Sequence, residues 1–142
     1  MRSENSIGKA ESCGAMAEPR FLLDTNICIY ILNDAQGRAA RAVEAQARGC
    51  VVSSTIVMAE VLRGVPENDI AGRLIVDRFF RLVQALPFDA AAAEVYARLP
   101  SRRARLDRLI AAQALAAGLT LITNNERDFA DIPDLRLENW TL

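Results

Sequence analysis

Histidine does not occur in the 142 residues. Its absence removes His-based acid–base pairs, Ser-His and Cys-His nucleophile systems and His-ligated zinc. Lysine is confined to Lys9 near the start, so a mechanism that needs a lysine inside the folded domain is excluded as well. Cys13, Cys28 and Cys50 are odd in number and widely spaced. They suggest neither a disulfide framework nor a metal knuckle, and the expectation is a reduced, cytoplasmic protein. No apolar run reaches the length of a membrane span, and no signal-peptide core precedes the first strand. There is no excess of positive charge: the formal net charge is −1, so nucleic-acid binding must come from a local patch. Internal repeats and low-complexity tracts are missing too. What is present, 51% apolar and 25% charged residues, is the balance of an ordinary globular domain with enough chain for one substantial core. Its chemistry has to run on carboxylates, hydroxyls, amides or arginines.

Residues 1–19 are polar and small, without a period, and are expected to be a disordered leader, with Met16 a candidate natural start. The folded domain is expected over 20–142. A short strand, Arg20 to Leu23, stops at Asp24-Thr25-Asn26 before an apolar helix through Leu32. An amphipathic helix from Gln36 to Arg48 ends at Gly49. Cys50 to Ser53 reads as the second strand, and Ser54-Thr55 can cap the short helix Ile56 to Arg63. A long helix is expected from Glu67 to Ala85, with a broad apolar stripe of Ile70, Leu74, Ile75, Phe79, Leu82 and Val83 and with Arg73, Asp77, Arg78 and Arg81 on its other side, and it is a candidate dimer contact. A third strand, Leu86 to Phe88, follows, and then a helix capped by Asp89 that runs to Leu99.

The chain is organised around Asp107 to Gly118. Leu106, Leu109, Ile110, Ala114 and Ala117 recur at helical spacing, Gly118 stops the helix, and Leu119 to Thr123 reads as a buried strand. Asp107 therefore opens a core helix, either as a cap that favours the helix dipole or as a site residue. A last strand is expected over Leu135 to Trp140. Strands and helices alternate throughout, which predicts an α/β fold: a parallel sheet with helices on both faces.

In such a sheet the carboxyl ends of the strands share one edge, where α/β proteins build their sites. Asp24 follows strand one, Glu60 lies in the helix after strand two, Asp107 opens the helix before strand four, and Asn125 and Asp128 follow strand four. Glu60 is the only carboxylate among Ile56, Val57, Val61 and Leu62, and is either a solvent-facing edge residue or a member of this group. Packed carboxylates repel unless a cation neutralises them, and oxygen-only ligands select hard ions, Mg²⁺ or Mn²⁺. Such an ion activates water and stabilises charge on a phosphate. Metal-dependent phosphodiester hydrolysis is thus the leading enzymatic option. Arg98, Arg102, Arg103, Arg105 and Arg108 gather near the Asp107 helix, as a solvated charged turn or as a phosphate-binding rim.

Leu22-Leu23-Asp24-Thr25-Asn26, Ser53-Ser54-Thr55 leading to Ala59-Glu60, Asp107 through Ala112, Thr123-Asn124-Asn125 and Asp134 to Trp140 together resemble the PIN domain, in particular the VapC-type ribonuclease toxins of toxin–antitoxin pairs. The resemblance runs from about Arg20 to Trp140. It implies an α/β/α sandwich around a parallel four- to five-stranded sheet, Mg²⁺- or Mn²⁺-dependent endoribonuclease activity, a homodimer, and inhibition by a small cognate antitoxin. By position, Asp24, Glu60 and Asp107 match the family's metal-holding acids, and Asn26 and Thr123 its supporting polar residues. Asn125 falls where many members carry a fourth Asp, and Asp128 where members with Asn there carry another acid. The amide brings no charge, which leaves one-ion chemistry as the alternative to a second metal position. The turn before Leu106 is shorter and richer in arginine than in many relatives; Arg102, Arg103, Arg105 and Arg108 are the candidates for holding RNA phosphates.

Other classes fit less well. A receiver domain needs a lysine beside its aspartate, and a haloacid-dehalogenase-like phosphatase expects a second Asp where Asn26 stands. The serious rival is a PIN-like scaffold that binds RNA or protein without cutting it.

Overall fold

A computed structural model describes residues 16–100 and 105–142. Its sheet holds five parallel strands: β1 (Phe21–Leu23), β2 (Val51–Ser54), β3 (Gln84–Leu86), β4 (Thr120–Ile122) and β5 (Leu137–Glu138), in the spatial order β3-β2-β1-β4-β5. Parallel neighbours need crossovers. Helices α1 (Thr25–Asn33) and α2 (Arg38–Glu44) connect β1 to β2, and α3 (Thr55–Arg63) and α4 (Ile70–Leu82) connect β2 to β3. Helices α5 (Ala90–Ala97) and α6 (Arg105–Ala117) lead to β4, and a 3-10 turn, Glu126–Phe129, precedes β5. The expected parallel sheet flanked by helices is the one observed.

Burial explains the order. Leu22, Leu23, Leu121 and Ile122 are fully inaccessible, as expected of central parallel strands covered on both faces. From β1 the chain steps outward to β2 and β3, then returns across the sheet to β4. The reversal lies between β1 and β4, and crevices in α/β sheets open at such a point, beyond the carboxyl ends of the strands. Leu23 pairs with Ile122, and the Asp24 N–H donates to the Ile122 carbonyl at 3.1 Å. Asp24 and Thr123 consequently leave the sheet side by side.

Local capping sets the helix starts. Asp24, Ser54, Asp69 and Asp89 each accept from a backbone N–H of the helix that follows, satisfying a donor that would otherwise be orphaned. Gly118 ends α6 at φ +70°. Several expected boundaries move. Helix α2 stops at Glu44, well short of Arg48. The long helix ends at Leu82, and Ala85, expected inside it, lies in β3, which spans Gln84–Leu86 where Leu86–Phe88 was expected. Pairing with β2 along Val52–Ser54 overrides the local helical pattern there. The last strand shrinks to Leu137–Glu138.

The apolar stripe on α4 is covered only in part. Val76, Phe80 and Val83 are the buried residues, whereas Ile70, Leu74, Ile75 and Leu82 are exposed by 52–73%. This helix leans on the body by one edge, and its remaining apolar face is left to solvent. Of the expected leader, residues 1–15 lie outside the described residues; Ala17, near its end, donates its N–H to the Arg48 carbonyl at 2.8 Å.

Candidate active site

Asp24 stands at the carboxyl end of the central strand and is 6% exposed. Its Oδ1 accepts from the Ile27 N–H at 3.0 Å, capping α1, and the Thr123 hydroxyl donates to the same carboxylate. Burial pushes its pKa above the ordinary carboxylate range; the two hydrogen bonds pull down, and the charges of Asp107 and Glu60 push up again. Thr123 itself is fully buried and its oxygen also accepts from the Asn125 N–H at 3.0 Å. One hydroxyl thereby links the ends of β1 and β4.

Glu60 is half-buried on α3, and its Oε1 accepts a hydrogen bond from the Thr25 hydroxyl of α1. It is therefore no free edge residue. Thr25 is the positioning residue that reading the sequence missed; the signal was its place immediately after Asp24, on the first turn of a helix that packs against α3. Glu60 also marks the divide between two grooves. One, of about 300 Å³, runs between α1, α3 and α4 past Val61 and Ile75. The other, of about 380 Å³, runs past Ile56, Ala59 and Arg63 to Leu106.

Asp107 lies in the first turn of α6, two positions inside the helix start at Arg105, so it is a first-turn acid rather than the cap. Burial raises its pKa first, then Glu60 and Asp128, while Arg108 lowers it. Asp128 sits in the 3-10 turn, and its carboxylate accepts from the side-chain amide of exposed Asn125. Asn26 is exposed on the first turn of α1. Asp24, Glu60, Asp107 and Asp128 thus form a chain of carboxylates that feel one another's charge at one edge of the sheet.

The arginines divide. Arg102 and Arg103 lie outside the described residues, and nothing is described of the Arg105 side chain. Arg108, expected on a phosphate rim, is 1% exposed. Its Nη2 donates to Asp131 Oδ1 at 2.8 Å and, at 3.4 Å, to the Asp128 carbonyl. It faces the protein interior because it sits one position beyond Asp107, on the side of α6 that packs against the 126–131 turn.

Residues 21–135 match the model of the PIN domain. The chain belongs to the PIN domain family. It is 30% identical over 135 residues to the tRNA(fMet)-specific endonuclease VapC of Shigella flexneri, covering 86% of this chain and 98% of that protein. It is 32% identical over 130 residues to ribonuclease VapC2 of Rickettsia felis, covering 84% and 97%. Among solved structures, VapBC2 from Rickettsia felis bound to a DNA fragment from its promoter superposes with a TM-score of 0.75 at 31% identity, over 84% of this chain and 98% of that one. DNA-bound VapBC from Salmonella typhimurium gives 0.76 at 27% identity, over 86% and 98%.

On this PIN scaffold the donor set is all oxygen, and two of its members, Asp24 and Asp107, are pushed toward protonation by burial and by the charges of neighbouring carboxylates. A divalent cation relieves that repulsion and keeps the carboxylates ionised, so the residues present fit a hard ion. Among the described residues, no group of three or more acids is arranged to hold a metal ion as it stands. The cluster is open, and Thr25 holds Glu60 toward α1.

Proposed function

We propose that this protein is the endoribonuclease toxin of a toxin–antitoxin pair and hydrolyses RNA phosphodiester bonds with Mg²⁺ or Mn²⁺ held by Asp24, Glu60 and Asp107. The observation that carries the reading is the electrostatically coupled carboxylate group at the β1–β4 reversal, in a PIN chain whose relatives are named as VapC ribonucleases. The bound cation supplies charge neutralisation at the phosphate and a water of lowered pKa. The chain's own residues do the rest. Asp24, rigid in its helix cap, fixes the anchoring oxygen pair. Glu60, oriented by Thr25, and Asp107, carried on α6, close the group from two other elements. Asn125 and Asp128 orient water at its open side. Thr123 keeps Asp24 in register with the end of β4, and Asn26, exposed beside it, is a supporting polar residue. Arg102, Arg103 and Arg105 precede or open α6, where they would meet the RNA backbone as phosphate-holding groups.

The same reading assigns partners. The likeness to VapBC structures supports a small antitoxin as partner, and we place it over this edge. The exposed Ile70, Leu74, Ile75 and Leu82 of α4 are an apolar surface that a homodimer contact would cover. No helix among the described residues is long and apolar enough to cross a membrane, and we place the protein in the cytoplasm, with its RNA. The test is Asp107→Asn. It is expected to abolish Mn²⁺-dependent cleavage of RNA while circular dichroism stays that of the parent. Cleavage at the parental rate would make the protein a binding scaffold with a PIN fold.

A further inference from the structure

Arg108 is the largest of the fully inaccessible side chains. Desolvating a guanidinium costs several kcal/mol unless good partners surround it. Here the partners are few: Nη2 meets Asp131 and the Asp128 carbonyl, and Nη1 is buried with no hydrogen-bond partner among the described residues. A methionine of similar length would fill the space without burying a charge. The arginine therefore contributes something other than packing.

What it touches says what that is. Both contacts are on the segment after β4: one is the main chain of Asp128, whose charge acts on Asp107, the other the Asp131 side chain three residues on. The same short segment carries Asn125, whose amide holds the Asp128 carboxylate, and Phe129, which is buried. Asp128 is thus held at both ends, its carboxylate by Asn125 and its carbonyl by Arg108, while Arg108 shares a helical turn with Asp107.

We propose that Arg108 is a positioning residue that clamps the Asp128 turn onto α6, so that the Asp128 carboxylate completes the cation site where Asn125 brings no charge. The inference rests on the reading of the site given above. It assigns Asp128, rather than the amide at 125, the fourth carboxylate's place, and it makes the Arg108–Asp131 pair the device that keeps that carboxylate beside Asp107. Arg108 then acts on the ion through Asp128 and never meets RNA.

Isothermal titration of the metal-free protein with Mn²⁺ tests this without reference to catalysis. Arg108→Met is expected to weaken Mn²⁺ binding about tenfold, the usual scale for residues that orient metal ligands. In an Asp128→Asn background the same change should weaken it no further. The salt dependence of RNA binding should be unaltered, because a buried cation releases no counterions. Parental Mn²⁺ affinity in Arg108→Met overturns the proposal, as do losses that multiply in the double variant or a salt slope that falls. Should Arg108→Met fail to fold, Asp131→Asn removes the charge of the partner at a half-exposed position and is expected to show the same Mn²⁺ loss and the same non-additivity with Asp128→Asn; parental affinity there is equally fatal. If the parent itself binds no Mn²⁺, the metal-site reading fails and takes this inference with it. If the parent binds and the variants bind equally, only the clamp is wrong.

Discussion

Asp24 has two separable roles, capping α1 and carrying charge, and pairs of substitutions pull them apart. Asp24→Asn keeps a side-chain acceptor for the Ile27 N–H and removes the charge; asparagine caps helices as well as aspartate does. Asp24→Ala removes both. In the metal-free protein the folded-state pKa of Asp24 lies above its unfolded value, chiefly through burial and further through Asp107 and Glu60. The folded state therefore holds this proton more tightly. Below the unfolded pKa the carboxyl costs nothing, and stability is lost as pH rises through the raised folded pKa. At pH 7 in chelator, Asp24→Asn should melt above the parent, and the gap should close as the pH falls below about 4, near the unfolded aspartate pKa. Asp24→Ala should melt below Asp24→Asn. It loses the cap, which is the acceptor of the Ile27 N–H, about 1 kcal/mol, and leaves the Thr123 hydroxyl without its acceptor, about 1 kcal/mol more. For a chain of this size that is roughly 6 °C. Saturating Mn²⁺ should reverse the first ranking, because the cation binds only the charged parent with full affinity. Thermal unfolding followed at 222 nm, with chelator and with Mn²⁺, measures all four comparisons. A parent more stable than Asp24→Asn in chelator at pH 7 would refute the claim that this carboxylate is strained by its surroundings.

Two further substitutions probe features that only one element or one contact explains. Thr25→Val removes the hydroxyl that holds Glu60 at nearly constant volume, and should lower Mn²⁺ affinity and cleavage by about tenfold with an unchanged melting temperature; unchanged cleavage would show that Glu60 needs no such tether. Gly118→Ala meets no atom within 4 Å of its new Cβ, so its cost is that of the positive φ alone, about 1 kcal/mol. A denaturant midpoint that does not move would show that the α6–β4 turn relaxes out of the left-handed region.

How much of this was legible follows from the range of each interaction. Caps and stops act within one turn of chain, so Ser54, Asp89 and Gly118 announce α3, α5 and the end of α6 from the residues themselves. The alternation of apolar strand and amphipathic helix likewise points to a parallel sheet, since a helix between successive strands is the crossover that parallel neighbours need. Asp24 at a strand-to-helix corner and Asp107 on a first turn were both visible, because topology alone carries strand ends to one edge. The β3 boundary was not, because Gln84 and Ala85 extend only through pairing with β2. Nor was the lean of α4, whose apolar positions look alike until the body chooses Val76 and Phe80 and leaves Ile70 and Leu74 outside. Glu60 read as an exposed edge or a site residue with equal right until Thr25, on another helix, was seen to hold it.

Arg108 marks the limit most clearly. Beside other arginines in the chain it reads as one more surface cation, and nothing nearby distinguishes it. The sequence by itself determined the fold class, the capped starts of α3 and α5 and the placing of Asp24 at a strand end, all consequences of local hydrogen bonding and of periodic burial. Only the tertiary structure decided which acids are tethered, and that one arginine of the cluster turns inward to the Asp128 turn, because a side chain's surroundings are set by segments distant in the chain.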